Sequence, residues 1–263
     1  MLAIAHAGRT LTIEHADLGA PDAGGPLLVF LHEGLGSVSF WRDFPALLCA
    51  ALQARGLVYS RPGYGHSTPR APHERWAPDY LHQQALAVLP AVLAARGERG
   101  PYALVGHSDG GSIALIHAAH DAARRVAWTA AIAPHIDVEA KALDGIRATR
   151  QRFEAPDSPL RRQLARHHAD VDSAFYGWCD AWLSPAFAPW SIEAEIAAIR
   201  CPLLAMQGED DAYATPDQVR RIGQRVPQAQ VRLLPGMGHT PFAQQPEVVV
   251  GAIAQLARQA ASA

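Results

Sequence analysis

Residues 103–115 read ALVGHSDGGSIAL, from Ala103 to Leu115. An apolar run enters a knot of Gly, His, Ser and Asp and leaves as a second apolar run. The first run suits a buried strand and the second a helix, with Gly106-His107-Ser108-Asp109-Gly110 as the turn between them. So sharp a strand-to-helix turn forces unusual backbone angles on its central residue and brings strand and helix close together. Side chains two positions before and after that residue would clash, which is why glycine fits at Gly106 and Gly110. The Ser108 hydroxyl is then lifted clear at the C-terminal edge of the sheet. The helix N-terminus beside it favours negative charge. In a chain with 21 glycines a lone G-x-S-x-G is also met as an ordinary turn. The strand before it and the helix after it turn the reading toward a nucleophile.

Around this elbow the chain alternates short apolar runs with amphipathic ones. Residues 3–18 (AIAHAGRTLTIEHADL) read as a β-hairpin turning at Gly8, and Pro26–His32 (PLLVFLH) as a buried strand. Residues 40–56 read as a helix closed by Gly56, and 79–97 as a helix kinked at Pro90. LVYSR, YALVGH, VAWTAAIAP, CPLLAMQG and AQVRLLPG are further strands, and the closing run PEVVVGAIAQLARQ is a helix. Alternating strands and helices imply a mostly parallel sheet covered on both faces, an α/β fold of about eight strands. Residues 135–199 break the alternation. They read as several short helices inserted in a core of 1–134 and 200–263, and their aromatics either line a pocket or bury the insertion.

A serine hydroxyl needs a base, and the base needs an orienting group. The last two strands end in loops that offer both. Glu209-Asp210-Asp211 follows CPLLAMQG, and Met237-Gly238-His239-Thr240 follows AQVRLLPG. Both loops lie at the strand edge where Ser108 emerges, in the chain order Ser…Asp…His.

On these motifs nearly the whole chain resembles the α/β-hydrolase fold superfamily of esterases and lipases, loosening only in the insertion. The resemblance implies an α/β-hydrolase core with a helical cap, Ser108 as nucleophile, His239 as base and an acid from the GEDD loop. The family's usual spacing puts Asp211 ahead of Asp210. It also implies an oxyanion hole built from the Asp109 N–H and a donor in the loop Glu33-Gly34-Leu35-Gly36-Ser37, where the family register selects Gly34, with Leu35 next. Glu33 departs from the pattern, standing where the family usually has glycine. An ion pair to Arg42 or Arg61 is the preferred reading for Glu33, ahead of a place in the substrate pocket with Leu35, Trp178 and Trp182. A carboxylate at Asp109, beside the oxyanion, repels an anionic substrate by about 4 kcal/mol at 4 Å and an effective dielectric of 20. The substrate's reacting end is therefore expected to be neutral or cationic. Arg61, in a loop that resembles the family's Arg-Gly-x-Gly-x-Ser, is expected to pin neighbouring loops.

The remaining features set limits. The 263 residues, 49% hydrophobic, suffice for a large core, and a net charge of −2 gives no basic excess for nucleic acid or an anionic membrane. No apolar run reaches the length of a membrane span and the N-terminus is too polar for a signal peptide, so a cytoplasmic location is expected. Cys49, Cys179 and Cys201 form no C-x-x-C pair and read as small buried hydrophobes. His117, His120 and Asp121 have metal-ligand spacing but read as a solvated helix face, and His167-His168 as surface residues. No cofactor or metal is expected.

The resemblance therefore implies a serine hydrolase that cleaves a carboxylic ester of a small or medium substrate through an acyl-enzyme. Thioesters, amides of the proline iminopeptidase kind and carbon–carbon bonds are alternatives on the same residues, as is a haloperoxidase-like activity. Dehalogenases and epoxide hydrolases fit poorly, since those relatives carry aspartate at the position of Ser108. The rival class is a ligand-binding protein that keeps the fold without catalysis.

Overall fold

The computed structural model of the protein describes residues 1–20 and 23–262. Strands β1 (Leu2–His6) and β2 (Arg9–Ile13) form an antiparallel hairpin of their own. β3 (His15–Leu18) leaves that hairpin and begins the main sheet. β4 (Leu27–Leu31) precedes α1 (Phe44–Leu52) and β5 (Gly56–Tyr59). Next comes one continuous helical rod: α2 (Tyr80–Gln83), a π-helical turn (Gln84–Val88) and α3 (Leu89–Ala95). β6 (Tyr102–His107), α4 (Asp109–Ala119) and β7 (Val126–Ile132) follow. Between β7 and the next sheet strand lie α5 (Ala140–Glu154), α6 (Pro159–Leu164) and α7 (Val171–Leu183). β8 (Leu203–Gly208), α8 (Asp217–Arg225), β9 (Ala229–Leu234), α9 (Pro241–Gln244) and α10 (Pro246–Ala261) complete the described chain.

Among the described residues the main sheet has seven strands, in the order β3-β5-β4-β6-β7-β8-β9, where the sequence suggests about eight. The hairpin β1–β2 stands apart from it. Only β3 runs antiparallel, against β5; every other pairing is parallel. All five residues of β4 and all six of β6 are buried, as expected of strands covered on both faces. Alternate residues supply two cores. Leu28, Phe30, Val105 and Ile132 pack with Phe44 and Leu48 of α1 and with Val249 and Ile253 of α10. Val29, Leu31 and Leu104 pack with Leu81, Val88, Leu89 and Ile113, and that core continues into Phe153 of α5 and Phe175 and Trp182 of α7.

Two helix boundaries differ from the sequence reading. α1 closes at Gln53, in the left-handed region at φ 48°, and Gly56 is already in β5. Gly56 is needed for space, because a Cβ there would overlap the Cys49 sulfur. The rod 80–95 accommodates Pro90 through the preceding π-helical turn.

Candidate active site

β4 and β6 are adjacent in the sheet, and their C-terminal ends carry the glutamate loop and the serine elbow. Ser108 sits at φ 53°, ψ −120°, a strained conformation for a non-glycine residue. The flanking glycines are steric requirements: a Cβ on Gly106 would overlap the Gly110 carbonyl, and one on Gly110 the Leu31 carbonyl.

The structure brings Ser108, His239 and Asp211 into one hydrogen-bonded chain. Asp211 is ionised and only accepts, so His239 Nδ1–H donates to Asp211 Oδ2 at 2.7 Å. His239 Nε2 then accepts from the Ser108 hydroxyl at 2.9 Å. The Tyr213 N–H donates to Asp211 Oδ1 at 2.7 Å, and the Gln207 side-chain amide donates to Oδ2. Asp211 is buried, whereas Asp210 is exposed. Burial pushes the Asp211 carboxyl up, but the hydrogen bond and charge of His239 outweigh it and hold the group below its usual range. Burial likewise pushes His239 down, and the Asp211 hydrogen bond and charge, with Glu33 and Asp109, carry its pKa above the usual 6.5. Behind the ring, His107 Nε2–H donates to the His239 carbonyl at 2.7 Å.

Ser108 and His239 open into a cavity of about 50 Å³. Glu33, Gly34, Leu35, Asp109, Trp178 and Trp182, all singled out from the sequence, line it. His135, Ala142, Ile146 and Tyr213 line it too and had no sequence signal. The N–H groups of Gly34 and Asp109 make no turn or cap hydrogen bonds among the described residues. Gly34 is tightly roofed, since a Cβ there would overlap the Trp178 indole. The aromatics of residues 135–199 divide between the cavity and the core. Trp178 and Trp182 face the cavity, while Phe175, Phe187 and Trp190 are packed in the core.

Two charge expectations need correction. Glu33 pairs with neither Arg42 nor Arg61. Arg61 instead donates to the Glu33 main-chain carbonyl at 2.7 Å and stacks 4.6 Å from the Tyr64 ring centroid, which pins the two loops as expected. Asp109 does not present a bare charge. Its carboxylate accepts from Tyr80 Oη at 2.8 Å and Trp182 Nε1 at 3.1 Å, with Arg61 3.9 Å away.

Two histidines, His117 and His168, sit otherwise than their sequence suggests, while His120 is exposed as a solvated helix face requires. His117 is a buried core residue: its Nδ1–H donates to the Ala85 carbonyl at 2.7 Å and its Nε2 accepts from Tyr102 Oη at 2.6 Å. His120 pairs with Glu195. His168 is buried, accepting from the Gly65 N–H and donating to the Leu35 carbonyl, both at 2.9 Å. It fastens the segment between α6 and α7 to the loop that carries Gly34. Cys49 and Cys179 are buried and Cys201 is half-buried, all as free thiols. No helix among the described residues is long and apolar enough to cross a membrane.

This fold is that of the alpha/beta hydrolases. Residues 28–252 match the model of the Alpha/beta hydrolase family, and the chain belongs to that family. The chain is similar to an enol-lactonase from Burkholderia xenovorans, at 20% identity and a TM-score of 0.73, covering 97% of this chain and 98% of that one. It is similar to a thermophilic esterase from Thermogutta terrifontis, at 20% identity and a TM-score of 0.71, covering 98% and 97%. It is also 30% identical over 249 residues to the polyketide synthase ThaQ of Burkholderia thailandensis; the match covers 83% of this chain but spans 11% of that protein's length.

Proposed function

We propose that the protein is a serine hydrolase that cleaves a short-chain carboxylic ester through an acyl-enzyme. The observation that carries this reading is the chain Ser108–His239–Asp211 at the mouth of a cavity, with unclaimed N–H groups beside it. In this reading Ser108 Oγ bonds to the substrate carbonyl carbon while its proton passes to His239 Nε2. Asp211 holds the imidazole in the required tautomer and stabilises the imidazolium. The N–H groups of Gly34 and Asp109 bind the oxyanion. The carbon–oxygen bond to the alcohol then breaks, and His239 returns its proton to the departing oxygen. Water, deprotonated by His239 in turn, releases the acid and restores Ser108. Residues 135–199 serve as the cap, with Trp178 and Trp182 shaping the acyl pocket. Thioesters, amides and activated carbon–carbon bonds would be attacked by the same groups.

The test is hydrolysis of p-nitrophenyl esters of rising acyl length by wild type and Ser108→Ala, together with fluorophosphonate labelling. A fall of several orders of magnitude in the alanine variant, with label on Ser108 of the wild type, is the expected result. Short acyl chains should be the better substrates, as a cavity of about 50 Å³ requires. An inactive, unlabelled wild type would transfer the fold to the ligand-binding class.

A further inference from the structure

Two polar side chains of the Ser108 cavity are left unused by the acyl transfer just described. One is Glu33. Its carboxylate makes no hydrogen bond and no ion pair among the described residues, and Arg61 is engaged with its main-chain carbonyl. The other is His135. Its ring is buried, packs edge-on against Trp182 at 5.0 Å between centroids, and has no partner for Nδ1 among the described residues. Burial drives the His135 pKa down to about 4, so the ring is neutral and offers one donor and one acceptor.

The charges of the cavity show what is missing. Asp109 has Tyr80, Trp182 and Arg61 as partners, and Asp211 has His239, Tyr213 and Gln207. Glu33 is the carboxylate left over, and burial together with Asp109 pushes its pKa up against the pull of His239 and Arg61. An anionic ligand would add to that imbalance. An apolar ligand would leave His135 without a hydrogen-bond partner and cover the Glu33 carboxylate without supplying a cation. A ligand hydroxyl could serve His135 but would leave the Glu33 charge uncompensated. A protonated amine removes both deficits, because its N–H groups donate to the Glu33 carboxylate and to the acceptor nitrogen of His135. The remaining walls, Leu35, Ala142, Ile146 and Trp178, are apolar and close. With about 10–15 Å³ for each water-sized group, the space admits an acyl chain of about two to four carbons.

We propose that the acyl half of the substrate is a short chain bearing a protonated amine, seated between Glu33 and His135. This inference rests on the serine-hydrolase reading and adds the substrate class to it. The protein is thereby an esterase for small amino acids in ester linkage, with Glu33 as its specificity-determining residue.

Ethyl glycinate, ethyl glycolate and ethyl propionate test this directly, since they differ only in carrying an ammonium, a hydroxyl or a methyl group at one position. Titrimetric kcat/KM for the three is measured on wild type and Glu33→Gln, beside fluorophosphonate labelling of Ser108. Wild type should prefer glycinate over propionate by about tenfold or more, and Glu33→Gln should bring the ratio close to one. Each kcat/KM is divided by the same ester's hydroxide-catalysed rate, because an ammonium or hydroxyl group itself activates the carbonyl, and the wild-type ratio so corrected decides the matter if the variant fails to fold. Turnover of propionate or glycolate as fast as glycinate, with Ser108 labelled, would overturn the amine and leave the serine hydrolase standing. So would a glycinate preference that survives in Glu33→Gln. Failure of all three esters together with an unlabelled Ser108 would overturn both readings.

Discussion

At the scale of single residues, the imidazole of His239 sets the pH behaviour of the proposed reaction. Burial favours its neutral form, yet the hydrogen bond and charge of Asp211 outweigh burial and raise its pKa above 6.5. A base must be unprotonated to accept the serine proton, so kcat/KM should fall as pH drops through a midpoint above 6.5. Asp211→Asn removes the negative partner and permits the wrong tautomer. The acid limb should then move to lower pH, and kcat should fall by about four orders of magnitude. A pH–rate profile of the two proteins reads both effects; an unmoved limb would mean that some other group controls it.

At the scale of elements, the elbow between β6 and α4 depends on close approach of backbone to backbone. Gly110→Ala would drive a Cβ into the Leu31 carbonyl, which is main chain of a central strand and cannot rotate away. The variant should lose about 3 kcal/mol or more, a value at the upper end of overpacking losses, read as a lowered urea midpoint. A change below about 1 kcal/mol would show that the two elements separate easily. This elbow was fully legible in the sequence, because its requirement is local: two glycines, a serine, and apolar runs of opposite periodicity on either side. The same holds for β4, whose continuous apolar run marks burial on both faces. His135 and His168 were not legible. His135 lies just beyond a strand in a stretch without catalytic spacing, and its role comes from the helices folded over it. His168 stands in RRQLARHHADVD, which reads as a polar surface helix; only tertiary packing turns its ring toward the Gly65 N–H and the Leu35 carbonyl. Glu33 was visible as an anomaly, but its lack of a cation depends on where the Arg61 side chain goes. The end of α1 was misplaced because Gln53 takes the left-handed conformation usually left to glycine.

At the scale of the whole molecule, buried histidines make the fold sensitive to acid. His107 is held down to about 3 and His135 and His168 to about 4, chiefly by burial. His32 and His117 are lowered for the same main reason. Each of these groups binds its proton in the unfolded chain near pH 6.5 and in the folded one only at lower pH. Below about pH 6.5 the unfolded state therefore gains protons first, and each such histidine removes about 1.4 kcal/mol of stability per pH unit. Glu33, Asp109 and His239 have raised pKa values, so the folded state protonates first at those sites and they act in the opposite direction. They are fewer than the lowered histidines. Thermal unfolding should thus show Tm falling steadily from pH 6.5 toward pH 4, and a flat Tm over that window would contradict this balance. The cavity itself has a kinetic consequence at the same scale. Its lining is stitched in place by Trp182 on Asp109 and by His168 on Leu35. Loosening those stitches frees the Leu35 loop and the Asp109 carboxylate, the same parts that flank the oxyanion donors. In the proposed reaction the oxyanion donors therefore keep their place only while these bonds hold, and a variant that breaks one of them should lower kcat before it lowers stability.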